Sequence, residues 1–248
     1  MKTTLIALVS LLVVASLDSG LAALARDRQD QPGAKPAPKE GGWVKRHDGF
    51  VEEAKKGGFD ILFMGDSITD GWRNGAQRKI WDATFAPLKA ANFGISGDRT
   101  QHVLWRLRNG EFEGLTLPKV VVLMIGTNNI GQTKPPPEPA ASAVAGIEAI
   151  VKEIHKKSAA TKILLLGVFP RGEKADHPLR ATVKEINEAA AKLDDGGKTV
   201  KVLDIGGKFL QPDGSILKEI MPDFLHLSEK GYQIWADAIK DPLAELLK

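Results

Sequence analysis

The chain has 248 residues, a formal net charge of +3 and no cysteine. Disulfides, thiolate metal sites and a lipid-bearing cysteine are therefore excluded, and the fold must rest on its core alone. Lysines and arginines are scattered in runs no longer than a pair, which argues against a nucleic-acid partner.

Residues 1–25 read as an export signal. Met1-Lys2 gives a positive start, and Leu5 to Leu17 is apolar apart from Ser10 and Ser16. Ala23-Leu24-Ala25 supplies small residues around a cleavage point before Arg26. The apolar run is short for a membrane span, so a secreted or periplasmic protein is expected, with an uncleaved anchor as the alternative. Residues 26–42 are rich in Gln, Pro, Gly, Lys and Asp and lack large apolar side chains, the composition of a flexible linker. The globular domain is expected over 43–248, long enough for a sizeable core.

Apolar, strand-like runs then alternate with helix-like segments. Strands are predicted at Phe59 to Met64, Ala90 to Ile95, Val120 to Ile125, Ile163 to Val168 and Val200 to Ile205. Helices are predicted at Ala76 to Phe85, Thr100 to Asn109, Ala140 to His155, Leu179 to Leu193, and from Ser228, as N-cap, to Leu247. Val120 to Ile125 is apolar on both faces, as a central parallel strand requires. This alternation predicts an α/β fold: a central five-stranded parallel sheet in a three-layer α/β/α sandwich. Ligands of such sheets sit beyond the carboxyl ends of the strands.

Four short motifs fall on that rim. Gly65-Asp66-Ser67 closes the first strand and offers a hydroxyl nucleophile. Thr69 stands where a second glycine would complete the nucleophile elbow of α/β-hydrolases, so that turn is not expected. Asn92-Phe93-Gly94-Ile95-Ser96-Gly97-Asp98 ends the second strand, with glycines that let backbone N–H groups approach a ligand. Gly126-Thr127-Asn128-Asn129 ends the third, and an Asn amide can stabilise a developing oxyanion. Asp223-Phe224-Leu225-His226 precedes the last helix. A carboxylate three residues before an imidazole can hold its Nδ1–H and leave Nε2 free toward a serine. Each motif alone has an ordinary reading as a turn. His47, His102, His155 and His177 are expected to be surface or satisfied core residues. Together, the four motifs supply what an acyl-transfer site requires.

With these blocks in this order, the chain resembles the SGNH hydrolases, also called the GDSL esterase/lipase family, over roughly Trp43 to Leu247. The stretches Thr100 to Leu107, Pro170-Arg171-Gly172 and Leu225 to Ser228 are similar to the catalytic subunits of platelet-activating-factor acetylhydrolases within it. Ser96 departs from the glycine common in that group. The resemblance implies a flavodoxin-like SGNH fold, Ser67 as nucleophile, His226 as base and Asp223 as its orienter. The oxyanion hole would be the Ser67 and Gly97 N–H groups with the Asn128 side chain. No metal or organic cofactor is implied, and a homodimer follows from the likeness alone. Trp72 and Arg171 are candidate substrate-binding residues, with a surface position as the alternative.

The function expected is hydrolysis of short-chain, in first place acetyl, esters of a small molecule or carbohydrate. Lysophospholipid or thioester hydrolysis by the same machinery is an alternative. A non-catalytic glycan-binding protein on the same scaffold, or a flavodoxin-like nucleotide binder using Gly94 to Asp98 as a phosphate loop, are the rivals from other classes.

Overall fold

A computed structural model describes residues 26–114 and 116–248; the expected export signal lies outside them. Five strands form one parallel sheet: β1 (Ile61–Gly65), β2 (Ala90–Gly94), β3 (Val120–Met124), β4 (Lys162–Leu166) and β5 (Val200–Leu203). Their order across the sheet is β2-β1-β3-β4-β5. Each observed strand lies within two residues of its expected bounds.

The main helices are α1 (Gly42–Lys56), α2 (Ser67–Asp70), α3 (Gln77–Thr84), α4 (Thr100–Arg106), α5 (Thr127–Gly131), α6 (Ala140–Lys157), α7 (Leu179–Ala190) and α8 (Glu229–Leu246). The expected N-cap of α8 is present, Ser228 accepting the Gly231 N–H through its side chain. Two expected helices change pitch at their ends. Beyond Arg106 the chain runs through a π-turn over Leu107–Glu111, and beyond Ala190 through a 3-10 turn over Ala191–Leu193.

Alternate side chains of each strand serve opposite faces of the sheet. Leu62 and Met64 of β1, Val121 and Leu123 of β3, and Ile163 and Leu165 of β4 pack with α1, α4, α6 and α7. Ile61 and Phe63, Val120 and Val122, and Leu164 and Leu166 pack with α3 and α8 on the other face. The central strands β1 and β3 are therefore free of polar side chains because both faces are covered. The three-layer α/β/α architecture is as the alternation predicts.

The segment composition assigns to a flexible linker is, from residue 31 onward, laid against the domain. Gly33 N–H donates to Ser142 Oγ at 2.7 Å, and Thr100 Oγ1 donates to Gly33 O at 2.9 Å. A side chain on Gly146 of α6 would overlap Gly33 O. Small residues and backbone polar groups do this docking, so the segment needs no large apolar side chain to be held.

Candidate active site

The sheet order reverses between β1 and β3, where ligand crevices open in such folds. Parallel registers pair Gly65 with Gly94 on one side and with Met124 on the other. The segments leaving those three residues carry Ser67, Gly97 and Asn128. The strand ladder thus brings together groups that the sequence separates by tens of residues.

Asp66 is the N-cap of α2, its Oδ1 accepting the Ile68 N–H at 2.9 Å, and Ser67 is the first helical residue. That turn is pinned from two sides. Tyr232 of α8 donates its hydroxyl to Ile68 O at 2.7 Å, and Asn92 Nδ2 donates to Thr69 O at 2.8 Å. Gly94 is required here, because a side chain on it would overlap the Asp70 backbone. Asp66 is fully buried, and its Oδ2 has no partner among the described residues. Burial pushes its carboxyl up to about 7, and the nearby Asp98 charge adds to the rise.

Asp223 to His226 folds back on itself because Phe224 takes a left-handed conformation, φ 58°. Asp223 Oδ1 accepts the Leu225 N–H at 3.1 Å and the His226 N–H at 2.7 Å, leaving Oδ2 2.7 Å from His226 Nδ1. His226 Nε2 lies 2.9 Å from Ser67 Oγ. A carboxylate can only accept from Nδ1–H, so Nε2 is left with the lone pair directed at the serine hydroxyl. Burial pushes the Asp223 carboxyl up, but hydrogen bonds from the His226 ring and backbone outweigh it and hold it below the usual range. The His226 and Asp223 side chains are 45% and 56% exposed, so the site opens to solvent.

Three N–H-bearing groups lie on the segments that leave β1, β2 and β3. The Ser67 N–H sits in the first turn of α2, where helical geometry supplies no acceptor. Gly97 has φ 75°, a conformation that favours glycine, and its N–H has no acceptor among the described residues. Its carbonyl is held by Lys39 Nζ at 2.7 Å and Gln132 Nε2 at 3.1 Å. Asn128 Nδ2 donates one hydrogen to Asp98 O at 2.9 Å, and its second hydrogen is not used there.

The Asp98 side chain belongs to a buried ionic cluster. Trp43 Nε1 donates to its Oδ1 at 2.7 Å, and Arg106 Nε stands 3.0 Å from Oδ2. Arg106 is also paired with Glu111 at 2.6 Å, and Glu111 with His47 at 2.7 Å. A phosphate loop over Gly94 to Asp98 would place this buried carboxylate against the anion, which disfavours the nucleotide reading.

Of the two candidate substrate-binding residues, Trp72 is corrected. It is fully buried among Trp81, Phe85, Tyr232 and Trp235, and it packs the core under α2. An indole so close in sequence to the serine is drawn inward because α2 is only one turn long and the chain then turns into the α3/α8 face. Arg171 is partly buried and donates through Nη1 to Thr127 O and Oγ1, each at 3.1 Å. It lies near enough to Asp66 and Asp223 to feel both charges. It braces α5 beside the triad. His47 and His102 are buried, while His155 and His177 are half-buried; none joins the serine. Burial lowers His102 to about 4, which keeps it neutral.

Lys39, Tyr232, Asp98 and Arg106 support the site without being candidates in the sequence. Arg106 falls within the resembling stretch Thr100 to Leu107, and Trp43, His47, Phe50 and Ala54 mark the buried face of α1 at helical spacing. Lys39 carries no such signal. Among the described residues no group of three or more His, Asp or Glu side chains is gathered as a metal site would need.

The GDSL-like lipase/acylhydrolase family model matches residues 63–234. The alpha2 subunit of platelet-activating factor acetylhydrolase IB from Rattus norvegicus is 42% identical over 205 residues, 83% of either chain. A GDSL-like lipase from Bacteroides thetaiotaomicron superposes with a TM-score of 0.63 at 19% identity, over 81% of this chain and 97% of that one. Axe2, an acetylxylan esterase from Geobacillus stearothermophilus, gives 0.58 at 22% identity, over 78% and 96%. These solved structures share the fold. Matched through every block that meets at the sheet's switch point, the chain belongs to the GDSL-like lipase/acylhydrolase family of ester hydrolases.

Proposed function

We propose that this chain hydrolyses short-chain carboxylic esters, acetyl esters foremost, through an acyl-enzyme on Ser67. The observation that carries the reading is the unbroken hydrogen-bond chain from Ser67 Oγ through His226 to Asp223. In the first step His226 Nε2 takes the Ser67 proton as Oγ bonds to the acyl carbon. The carbonyl oxygen becomes an oxyanion and receives hydrogen bonds from Ser67 N, Gly97 N and Asn128 Nδ2. The carbon–alkoxide bond then breaks, and the proton on Nε2 passes to the departing alcohol. Water repeats the sequence on the acyl-enzyme and releases the acid. Asp223 remains ionised throughout and stabilises the imidazolium.

Preference for a short acyl group rests on what surrounds the serine. Four clefts of about 180 to 580 Å³ are lined by residues other than Ser67, Asn128 and His226. Each methylene of a long acyl chain gains about 0.8 kcal/mol only if it is buried. The acyl group is taken to extend toward the solvent-open side marked by His226 and Asp223, where added methylenes stay wet and contribute little. The rat relative, named an acetylhydrolase, supports the same reading. Export to an envelope or the medium, where acetylated carbohydrates are accessible esters, is part of this proposal.

A p-nitrophenyl ester series from acetyl to palmitoyl, run beside acetylated xylan, tests the chain-length argument. kcat/KM is expected to be highest for acetyl and to fall by butyryl. A rise of tenfold or so per few methylenes would show a buried acyl channel and overturn it.

A further inference from the structure

Residues 31–41 precede the span matched by the family model, yet they reach the proposed oxyanion hole. The arm is anchored by the two hydrogen bonds of Gly33 and by Ala37 N–H donating to Gln101 O at 3.2 Å. Two residues beyond Ala37, Lys39 turns its ammonium inward. Nζ lies 2.7 Å from Gly97 O and 3.1 Å from Asp98 Oδ1, with the side chain 29% exposed.

Two consequences follow from that placement. The first is geometric. Gly97 is in a conformation open mainly to glycine, and the peptide after it is held on one side by the Asp98 N–H donating to Ile95 O at 3.2 Å and on the other through the Gly97 carbonyl. Lys39 and Gln132 bind that carbonyl, which limits rotation about the Gly97 Cα–C bond and so the angle between this peptide and the one that carries the Gly97 N–H. Through Asp98 the same contact steadies the carbonyl that orients Asn128.

The second is electrostatic. The buried cluster behind the loop holds two carboxylates, Asp98 and Glu111, and one guanidinium, Arg106. Burial keeps His102 neutral, while His47 faces Glu111 from α1. Lys39 is the cation that touches Asp98 on the side of the oxyanion loop. Without it, the excess negative charge of the buried cluster would lie behind the place where the transition state develops another.

We infer that Lys39 is a positioning residue for the oxyanion hole, supplied by the N-terminal arm, which orients the Gly97 peptide and neutralises Asp98 behind it. The inference rests on the proposed role of Gly97 and Asn128 as oxyanion donors. A group acting through a donor acts on the transition state more than on bound ester, so its loss lowers kcat and spares KM.

The test uses the full chain with p-nitrophenyl acetate as substrate. Lys39→Met is expected to lower kcat about tenfold or more, less than loss of a direct donor, with KM within about twofold. Lys39→Arg is expected to recover most of the loss. The melting temperature is followed for each variant. Should Lys39→Met prove insoluble, Lys39→Gln, which can still donate to Gly97 O but carries no charge, is read in its place.

Combining Lys39→Met with Asn128→Ala should cost less than the product of the two single losses, because both act on one oxyanion. A merely structural lysine would give multiplicative losses and a lowered melting temperature. Wild-type kcat in Lys39→Met, or a multiplicative double variant, overturns the inference. If Asn128→Ala itself leaves kcat unchanged, the oxyanion reading has failed; if Asn128→Ala is impaired and Lys39→Met is not, only the role of Lys39 has.

Discussion

Replacing Asp223 with Asn keeps the size of the side chain and reverses one hydrogen bond. The amide oxygen can still accept the Leu225 and His226 backbone N–H groups, as Asp223 Oδ1 does at 3.1 and 2.7 Å. That retained pair places the new NH2 where Oδ2 now faces His226 Nδ1 at 2.7 Å. Nδ1 must then accept, and the ring proton moves to Nε2, the nitrogen 2.9 Å from Ser67 Oγ. The base becomes a donor. Restoring the working tautomer sacrifices a hydrogen bond, about 1 kcal/mol. The imidazolium also loses its carboxylate, about 4 kcal/mol for charge centres roughly 4 Å apart near a protein surface. The sum, about 5 kcal/mol, is a loss of between three and four powers of ten in kcat. Steady-state hydrolysis of p-nitrophenyl acetate reads it directly, with KM expected to change little. An Asp223→Asn enzyme within about tenfold of wild type would refute the reasoning, since no tautomer switch could then be operating.

Three further outcomes are expected. Asn128→Ala should cost about a hundredfold or more in kcat, as for other oxyanion donors, while substrate KM stays close to wild type. Asp66→Asn tests a buried carboxyl whose folded value, about 7, lies above its ordinary 3.8. A raised acid binds its proton more tightly in the folded state, so wild-type stability should fall as pH rises from about 4 to about 7, by up to the order of 4 kcal/mol. Asn at this position keeps the cap on Ile68 N–H and should flatten that dependence in urea titrations; an unchanged slope would show that Asp66 does not titrate there. Trp72→Ala should destabilise the fold by about 3–5 kcal/mol in the same titrations, with KM unaltered in the folded fraction. A changed KM at full stability would return Trp72 to the substrate pocket.

The sheet was legible because its signal is redundant. Val120 to Met124 is apolar at every position, as a strand covered on both faces should be, and its β-branched valines favour strand over helix. The parallel order then brings the four motifs to one rim, so a spatial cluster could be inferred from motifs that are weak one by one. Side-chain direction was less legible. Trp72 and Arg171 sit at suitable places in the chain, but the short α2 and the packing of Tyr232 and Trp235 turn Trp72 into the core. Arg171 commits one guanidinium nitrogen, Nη1, to Thr127. Composition misread residues 31–42, because it counts apolar side chains and this arm docks through Gly33 and Lys39. Helix α1 shows the opposite case: its buried residues have helical spacing, but three lysines, an arginine and two glycines dilute the pattern.

The central claim is that Ser67 forms the covalent bond to the acyl group. Intact-mass and peptide mapping after treatment with a fluorophosphonate tests it most directly. One adduct is expected, on the peptide carrying Ser67, formed at a rate that collapses in His226→Ala and absent in Ser67→Ala, which should also lose esterase turnover. An adduct on another residue, or a Ser67→Ala protein that turns over p-nitrophenyl acetate at the wild-type rate, would contradict the account.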